Sequence, residues 1–277
     1  MRRHRMRFKI TYQAGYCALI LCAALILIYL VVPTLVIIPL SLNDKPFLEF
    51  PPEAYSLRWY RAFFASRAYH EAIYNSLRIG LPSAFFATIF GVLAALSLVR
   101  SKIRGRRLLS SLMIAPIVLP QIILAIGLYP IMVALGIIGT YPAILIGHTV
   151  VTLPLSFIII SAALRSYPPS FELAAMTLGA NPLQTFRYVT FPMIKIPILV
   201  GFIFCFAFSF DELILAMFLT SPTTTTVPRL LWEQLNYEMT PLIASATVFL
   251  LCVTLLLLLV AAVTGRRGAL GLKKVMQ

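Results

Sequence analysis

The chain has 277 residues, 60% of them hydrophobic and only 12% charged, with a formal net charge of +14 and a mean hydropathy of +0.93. That composition excludes an ordinary water-soluble globular domain and describes a membrane protein. Cys17, Cys22, Cys205 and Cys252 all sit inside apolar runs, without zinc-ligand or secreted-framework spacing, so they read as small hydrophobes.

Crossing a hydrocarbon core of about 30 Å takes about 20 apolar residues in a helix. Six stretches qualify, in chain order 16–42, 75–99, 108–135, 140–164, 194–219 and 241–263. The first is longer than a signal-peptide core and has no small-x-small cleavage site after it, so it is expected to remain as an anchor. The sequence thus divides into a basic tail over 1–15, a six-helix domain over 16–263 and a second basic tail over 264–277. Between the first two spans, SLRWYRAFFASRAYHEAIY has the aromatics and arginines of an interfacial helix. Pro33, Pro39, Pro82, Pro116, Pro120, Pro130, Pro142, Pro154 and Pro197 punctuate the spans. Each removes a backbone donor and is expected to kink its helix, which favours a packed bundle over independent anchors.

Alternating the connecting segments across the membrane sorts the charges. One side receives Arg2, Arg3, Arg5, Arg7 and Lys9, the run RSKIRGRR, Arg165, Arg187, Lys195 and the C-terminal Arg266, Arg267, Lys273 and Lys274. The other keeps only Lys45, Arg58, Arg61, Arg67, Arg78 and Arg229. By the positive-inside rule the first side is cytoplasmic, with both termini inside. The acids sort oppositely: Glu172 alone is cytoplasmic, and Asp44, Glu49, Glu53, Glu71, Asp211, Glu212, Glu233 and Glu238 lie outside. The net charge is therefore a topology signal, and the basic runs are suited to anionic lipid headgroups. Nucleic-acid binding is not expected, because no basic patch belongs to a soluble domain.

The loop 165–193 falls on the cytoplasmic side of this map. PPSFELAAMTL predicts a short helix capped by Ser170 and stopped at Gly179, which can take a positive φ. NPLQTFRYVTF predicts a second, with Asn181 as cap and Pro182 at its first position. Leu173, Met176, Leu183, Phe186 and Val189 give apolar anchors at helical spacing. Two short helices meeting at a glycine make a compact knob fit for a groove on another protein.

This segment resembles the cytoplasmic coupling loop of binding-protein-dependent ABC importer permeases, a Glu-Ala-Ala, three residues, Gly, nine residues, Ile-x-Leu-Pro pattern. Ala174, Ala175, Gly179, Val189 and Pro192 occupy matching positions, with Phe191 where leucine is usual. Leu173 stands where the family has glutamate, and Glu172 sits one residue earlier. LRWYRAFF, NSLRIGLPSAFFATIFGVLAALSLVR, GHTVVTLPLSF and FSFDELILAMFLTSPTTTTVPRLLW are similar to the spermidine/putrescine subgroup. The resemblance implies an all-α membrane fold, the six-helix type I ABC importer transmembrane domain, with an added first helix beside a five-helix core. It implies a bacterial inner-membrane complex with a second, homologous but different permease chain, two ATPase subunits and an extracytoplasmic solute-binding protein. Glu172, Leu173, Ala174, Ala175, Gly179, Phe186 and Pro192 are then the ATPase-coupling residues. The chain has no GxxxxGK[ST] phosphate loop, so it is expected to be non-catalytic and to bind no cofactor, with ATP and Mg on the partner ATPases.

The substrate clue is Asp211 and Glu212. Counted from residue 194 at 1.5 Å per residue, Asp211 lies about 26 Å along its helix. An intramembrane carboxylate is costly and commonly faces a water-filled path or a partner. An acidic pair there favours a cation such as a polyamine, with Phe208 and its neighbours Phe206 and Phe210 available for cation–π contact. A structural interaction with nearby polar groups or headgroups explains the acids equally well, and packing explains the phenylalanines. Related permeases also carry ferric iron, opines or phosphonates. His148 is expected to make a hydrogen bond that steadies the stretch before Pro154, Arg78 to snorkel, and PTTTT at 222–226 to form a polar turn. A secondary transporter or channel would show inverted repeats or several midplane charges. A membrane enzyme would show a metal set or nucleophile–base pair within the spans.

Overall fold

The computed structural model describes residues 2–101, 103–237 and 239–275, with side chains at 16, 19–101, 103–237 and 239–265. The side chains of both basic tails, Cys17, Lys102 and Glu238, which entered the topology and cysteine readings, lie outside the described residues. Among the described residues the regular structure is helical, with two isolated bridges, Asn43 to Tyr55 and Gly139 to Thr220. The chain forms two compact units.

The smaller unit, Met1–Ala65 with Glu238–Phe249, contains α1 (Arg2–Ser41), α2 (Arg58–Ala65) and the start of α12 (Pro241–Val275). Side chains over 19–35 are exposed wherever described, as suits a helix apolar on every face that is solvated by lipid. Its end is tied down by polar contacts. Ser41 Oγ lies 2.8 Å from Tyr60 Oη, Ser245 Oγ donates to the Ser41 carbonyl at 3.1 Å, and the Phe249 ring packs 5.2 Å from that of Phe63.

The larger unit, Ser66–Tyr237 with Leu250–Gln277, is built on α3 (Arg67–Arg100), α6 (Tyr141–Ser166) and α9 (Phe191–Phe210). Around these lie α4 (Arg106–Val118), α5 (Gln121–Ala134), α7 (Ser170–Thr177), α8 (Pro182–Thr185), α10 (Ile214–Leu219) and α11 (Val227–Tyr237). Among the described residues, two apolar clusters pack within it. One gathers Ile79, Met132, Ile144, Val151, Leu215 and Leu219; the other gathers Leu98, Phe157, Ile160, Leu164, Tyr167 and Ile194. Between them the helices meet through small residues. A Cβ on Gly91 would lie 2.8 Å from the Ser156 Cβ and 3.0 Å from the Phe157 nitrogen, while one on Gly201 would meet Ser156 at 3.7 Å. Small residues of this kind let helix backbones approach in lipid, where apolar side chains alone give little preference for protein over lipid tails.

α1 and α12 continue as helix beyond the expected span ends at 16 and 263, and three further expected boundaries change. The 108–135 span is not one helix: α4 and α5 meet at 101°. Leu119, just before Pro120, is extended (φ −70°, ψ 141°), the conformation that a following proline imposes. The other prolines within spans stay inside helices or, like Pro142, open one, so Pro120 alone breaks a span. The 194–219 span ends at Phe210 and resumes as the short α10. The 75–99 span begins earlier, at Arg67, because the expected interfacial helix over 56–74 divides at Ser66, which is extended (φ −77°, ψ 117°). Arg67 Nε bonds Glu71 Oε1 at 2.7 Å, an i,i+4 pair across the first turn of α3. Among the described residues five helices are long and apolar enough to span, and the α4–α5 pair makes a sixth if counted as one bent span.

The glycine contacts generate a test. Gly91→Ala should destabilise the purified protein by about 1–3 kcal/mol through overpacking, seen as a lowered thermal midpoint in detergent. Gly201→Ala, whose added carbon meets only ordinary contacts, should leave the midpoint unchanged.

Candidate functional site

At the end of the bundle marked by Arg100, the chain between α6 and α9 folds into the expected two-helix knob. α7 closes in a Schellman motif: Ala180 N–H donates to the Ala175 carbonyl and Gly179 N–H to that of Met176, both at 3.0 Å, with Gly179 at φ +90°. Only a residue tolerant of positive φ fits the turn easily. Among the described residues nothing lies within 4 Å of a Cβ placed on Gly179, so the requirement is conformational. α8 opens with a reciprocal capping box: Asn181 Oδ1 accepts from Gln184 N–H and Gln184 Oε1 from Asn181 N–H, both at 2.8 Å. Pro182 holds the first helical position, as expected. Ser170 does not cap α7; it is the first helical residue, Pro169 holds the cap position and no side chain caps it. A π-helical turn, Phe186–Thr190, then leads into α9.

The apolar anchors divide by direction. Phe186 and Val189 are half-buried, and the Phe186 ring lies 6.1 Å from Phe191. Leu173, Met176, Leu178, Leu183 and Tyr188 face outward, with Leu178 89% exposed and Leu183 74%. Ala174 and Pro192 are exposed and Ala175 is half-buried. The knob therefore presents an apolar tip on a hydrogen-bonded frame.

Glu172 points the other way. Its carboxylate receives Arg100 Nε at 3.0 Å, Tyr167 Oη at 2.7 Å and Thr190 Oγ1 at 2.9 Å. Arg100 also stacks on the Tyr167 ring, 4.4 Å from its centroid, and donates to the Tyr167 carbonyl at 3.4 Å. Burial pushes the Tyr167 hydroxyl above its ordinary pKa, which keeps it protonated and donating. One carboxylate thus joins the ends of α3 and α6, the first knob helix and the entry to α9. The sequence identified Glu172; Arg100, Tyr167 and Thr190 went unnoticed, the arginine because it reads as one more member of a basic run.

At the other end of the bundle, the two acids part company. Asp211 follows the last turn of α9 and is exposed, whereas Glu212 is 3% exposed. The Glu212 carboxylate accepts from Ile214 N–H at 3.2 Å and Leu215 N–H at 2.9 Å, so it caps α10. Phe208 is half-buried against the apolar cluster around Ile79 and Leu215, and Phe206 packs 5.6 Å from Phe210. The structure therefore does not bring Asp211, Glu212 and Phe208 together on one surface. His148 Nδ1 lies 2.8 Å from Ser209 Oγ, joining α6 to the last turn of α9, and its Nε2 has no partner among the described residues.

Asn75, given no role by the sequence, clamps the polar turn there: its Nδ2 donates to the carbonyls of Thr223 and Thr225 at 3.2 and 3.0 Å, and its Oδ1 accepts from Tyr141 at 2.7 Å. Thr224 and Ser221 hydroxyls donate to the Gly139 carbonyl. Arg78 stacks 4.3 Å over the Tyr141 ring. A cleft of ≈ 240 Å³ opens beside the clamp, lined by Glu71, Asn75, Thr223, Thr225, Arg229 and Glu233 among others.

Comparison with known proteins agrees with this architecture. Residues 87–267 match the family model described as binding-protein-dependent transport system inner membrane component. The chain is 33% identical to the putrescine transport system permease protein PotI of Escherichia coli (strain K12) over 80% of its length and 82% of that relative. It is 24% identical to the spermidine/putrescine transport system permease protein PotC of the same strain, over 86% and 90%. A permease chain in the crystal structure of a bacterial alginate ABC transporter in complex with an alginate pentasaccharide-bound periplasmic protein superposes with a TM-score of 0.69 at 19% identity, covering 91% of this chain and 93% of that one. With its long apolar helices and bent pair, the chain is a multi-pass bacterial inner-membrane permease, and it belongs to the binding-protein-dependent transport system inner membrane component family.

Proposed function

We propose that the chain is one permease half of an ATP-driven importer for a small organic cation of the polyamine class. The observation that carries the reading is the knob: a rigid, internally hydrogen-bonded turn with an apolar tip, fixed to the ends of three bundle helices. An apolar tip of this kind needs a complementary groove on another subunit. Its occupant is an ATPase subunit, one of two, that binds ATP and Mg while this chain binds neither. Leu173, Ala174, Met176, Leu178 and Leu183 make the contact; Gly179, Phe186 and Pro192 give the knob its shape, and Glu172 and Ala175 support it from behind. The knob and both termini are cytoplasmic, a placement supported by the sorting of Lys and Arg. A second, different permease chain completes the path. An extracytoplasmic binding protein delivers the solute at the Asn75 end, a reading supported by the likeness to a permease crystallised with its periplasmic protein.

Substrate class is supported by the likeness to putrescine and spermidine/putrescine permeases. Of the acidic pair, Asp211 is the one free to meet a cation, since Glu212 is committed to α10. Closure of the ATPases moves the knob, and with it α6 and α9, between two arrangements of the bundle.

Two tests follow from these assignments. Gly179→Val places a β-branched residue at φ +90°, at a cost of about 1–2 kcal/mol or more. Putrescine uptake should fall while the amount of protein in the membrane stays at the wild-type level; wild-type uptake would remove the knob from coupling. Asp211→Asn should raise the putrescine concentration for half-maximal uptake about tenfold, as expected for losing one charge-assisted contact. Glu212→Gln should instead lower thermal stability by about 0.5–2 kcal/mol through the weakened cap, with unchanged concentration dependence. Unchanged concentration dependence in Asp211→Asn would rule out that residue as a cation contact.

A further inference from the structure

We propose that Arg100 is a positioning residue for energy coupling: with Glu172 it forms a clasp that fixes the angle of the knob and makes α3 move with it. This rests on the reading that the knob docks on an ATPase, and it deepens that reading by naming what carries the motion into the bundle.

Chain connectivity already ties the knob to α6 and α9, which it joins, but α3 has no covalent link to it nearby. The clasp supplies one. Arg100 is the last residue of α3, and its guanidinium is held on three sides: by the Glu172 carboxylate at 3.0 Å, by the Tyr167 carbonyl at 3.4 Å and by the Tyr167 ring at 4.4 Å. Only 17% of the arginine side chain and 13% of the glutamate side chain are exposed. At that burial the pair is poorly screened by salt, and removing one partner leaves the other charge uncompensated. The carboxylate is further fixed by hydroxyl groups from the end of α6 and the start of α9. Hydrogen bonds from fixed donors in three directions leave it little rotational freedom, so displacement of α7 is transmitted as displacement of Arg100.

The knob keeps its own shape without the clasp. Its Schellman bonds and capping box lie wholly within 174–184, and none involves Arg100 or Glu172. Loss of the clasp is therefore expected to loosen the knob's angle against α3 while leaving its tip able to dock. A residue that merely stabilised the fold would lower assembly, hydrolysis and uptake together. A positioning residue separates uptake from hydrolysis.

The test uses the complete complex of permease pair and ATPases in proteoliposomes, with the loaded binding protein and putrescine as the transported probe. A photo-reactive residue in place of Leu178 reports docking. In Arg100→Met and in Glu172→Gln, assembly and cross-linking to the ATPase should match the otherwise wild-type protein, while putrescine transported per ATP hydrolysed falls at least about fivefold, the lower range of measured coupling energies. Arg100→Lys should retain more of that ratio than Arg100→Met, and the exchanged pair Arg100→Glu with Glu172→Arg should recover much of it. An unchanged ratio in both single variants, loss of assembly in them, or no recovery in the exchanged pair would overturn the clasp. Failure of the otherwise wild-type Leu178 probe to cross-link would instead overturn the docking reading on which the clasp rests.

Discussion

Lipid tails solvate an apolar helix about as well as a neighbouring apolar helix does, so a bundle of this composition holds together only where its backbones come close or its polar groups meet. In this chain both conditions are concentrated on α3, α6 and α9. Their close approach at Gly91, Ser156 and Gly201 lies between two apolar clusters, one toward each end of the bundle. At that waist the atoms nearest a Cβ on Gly91 include the Ser156 Cβ and the Phe157 nitrogen, which no side-chain rotation moves.

The two ends are fastened by different chemistry from the waist. At one, a carboxylate on α7 gathers an arginine and two hydroxyls from three other segments. At the other, a neutral carboxamide, Asn75, gathers two backbone carbonyls and a tyrosine. Both are networks whose members are individually modest but mutually orienting, and both lie where the chain leaves its long helices and turns back. The irregular backbone that such turns require carries unsatisfied donors and acceptors, which a bilayer interior does not tolerate when exposed to lipid. Placing the networks at the ends satisfies those groups and, in the same step, ties together helices that are distant in sequence.

How much of this could be read from the sequence depended on the range of the physics. Spans follow from local apolarity, and most boundaries came within a few residues of the helices observed. The knob's caps follow from Gly179, Asn181 and Pro182, each of which has a strong local backbone preference, and all three occupy their expected roles. Ser170 did not, because a proline preceding it also satisfies the start of a helix. The 101° bend and the end of α9 were missed because apolarity continues across both breaks while the backbone does not. Pro120 carried a signal for the first, but other prolines in the spans carried the same signal and stayed helical. Arg100, Tyr167 and Thr190 were invisible as a group, since they meet Glu172 only through packing of segments up to 72 residues apart.

The displaced acid shows why a motif is better read through its geometry than through its letters. On α7, adjacent residues lie about 100° apart, so moving a carboxylate by one position turns it from one face to another. Leu173 is 61% exposed at the position where the family pattern has glutamate, and Glu172 is turned into the bundle beneath it. Leu173 makes the tip apolar at this position, and Glu172 gives the base of the knob a charged anchor. At residue 173 the tip thus presents an apolar surface, while the charge lies one residue earlier, directed to Arg100. The same short stretch of sequence divides exposed apolar surface from buried anchor between two neighbouring side chains, and the step of about 100° between them keeps the two apart.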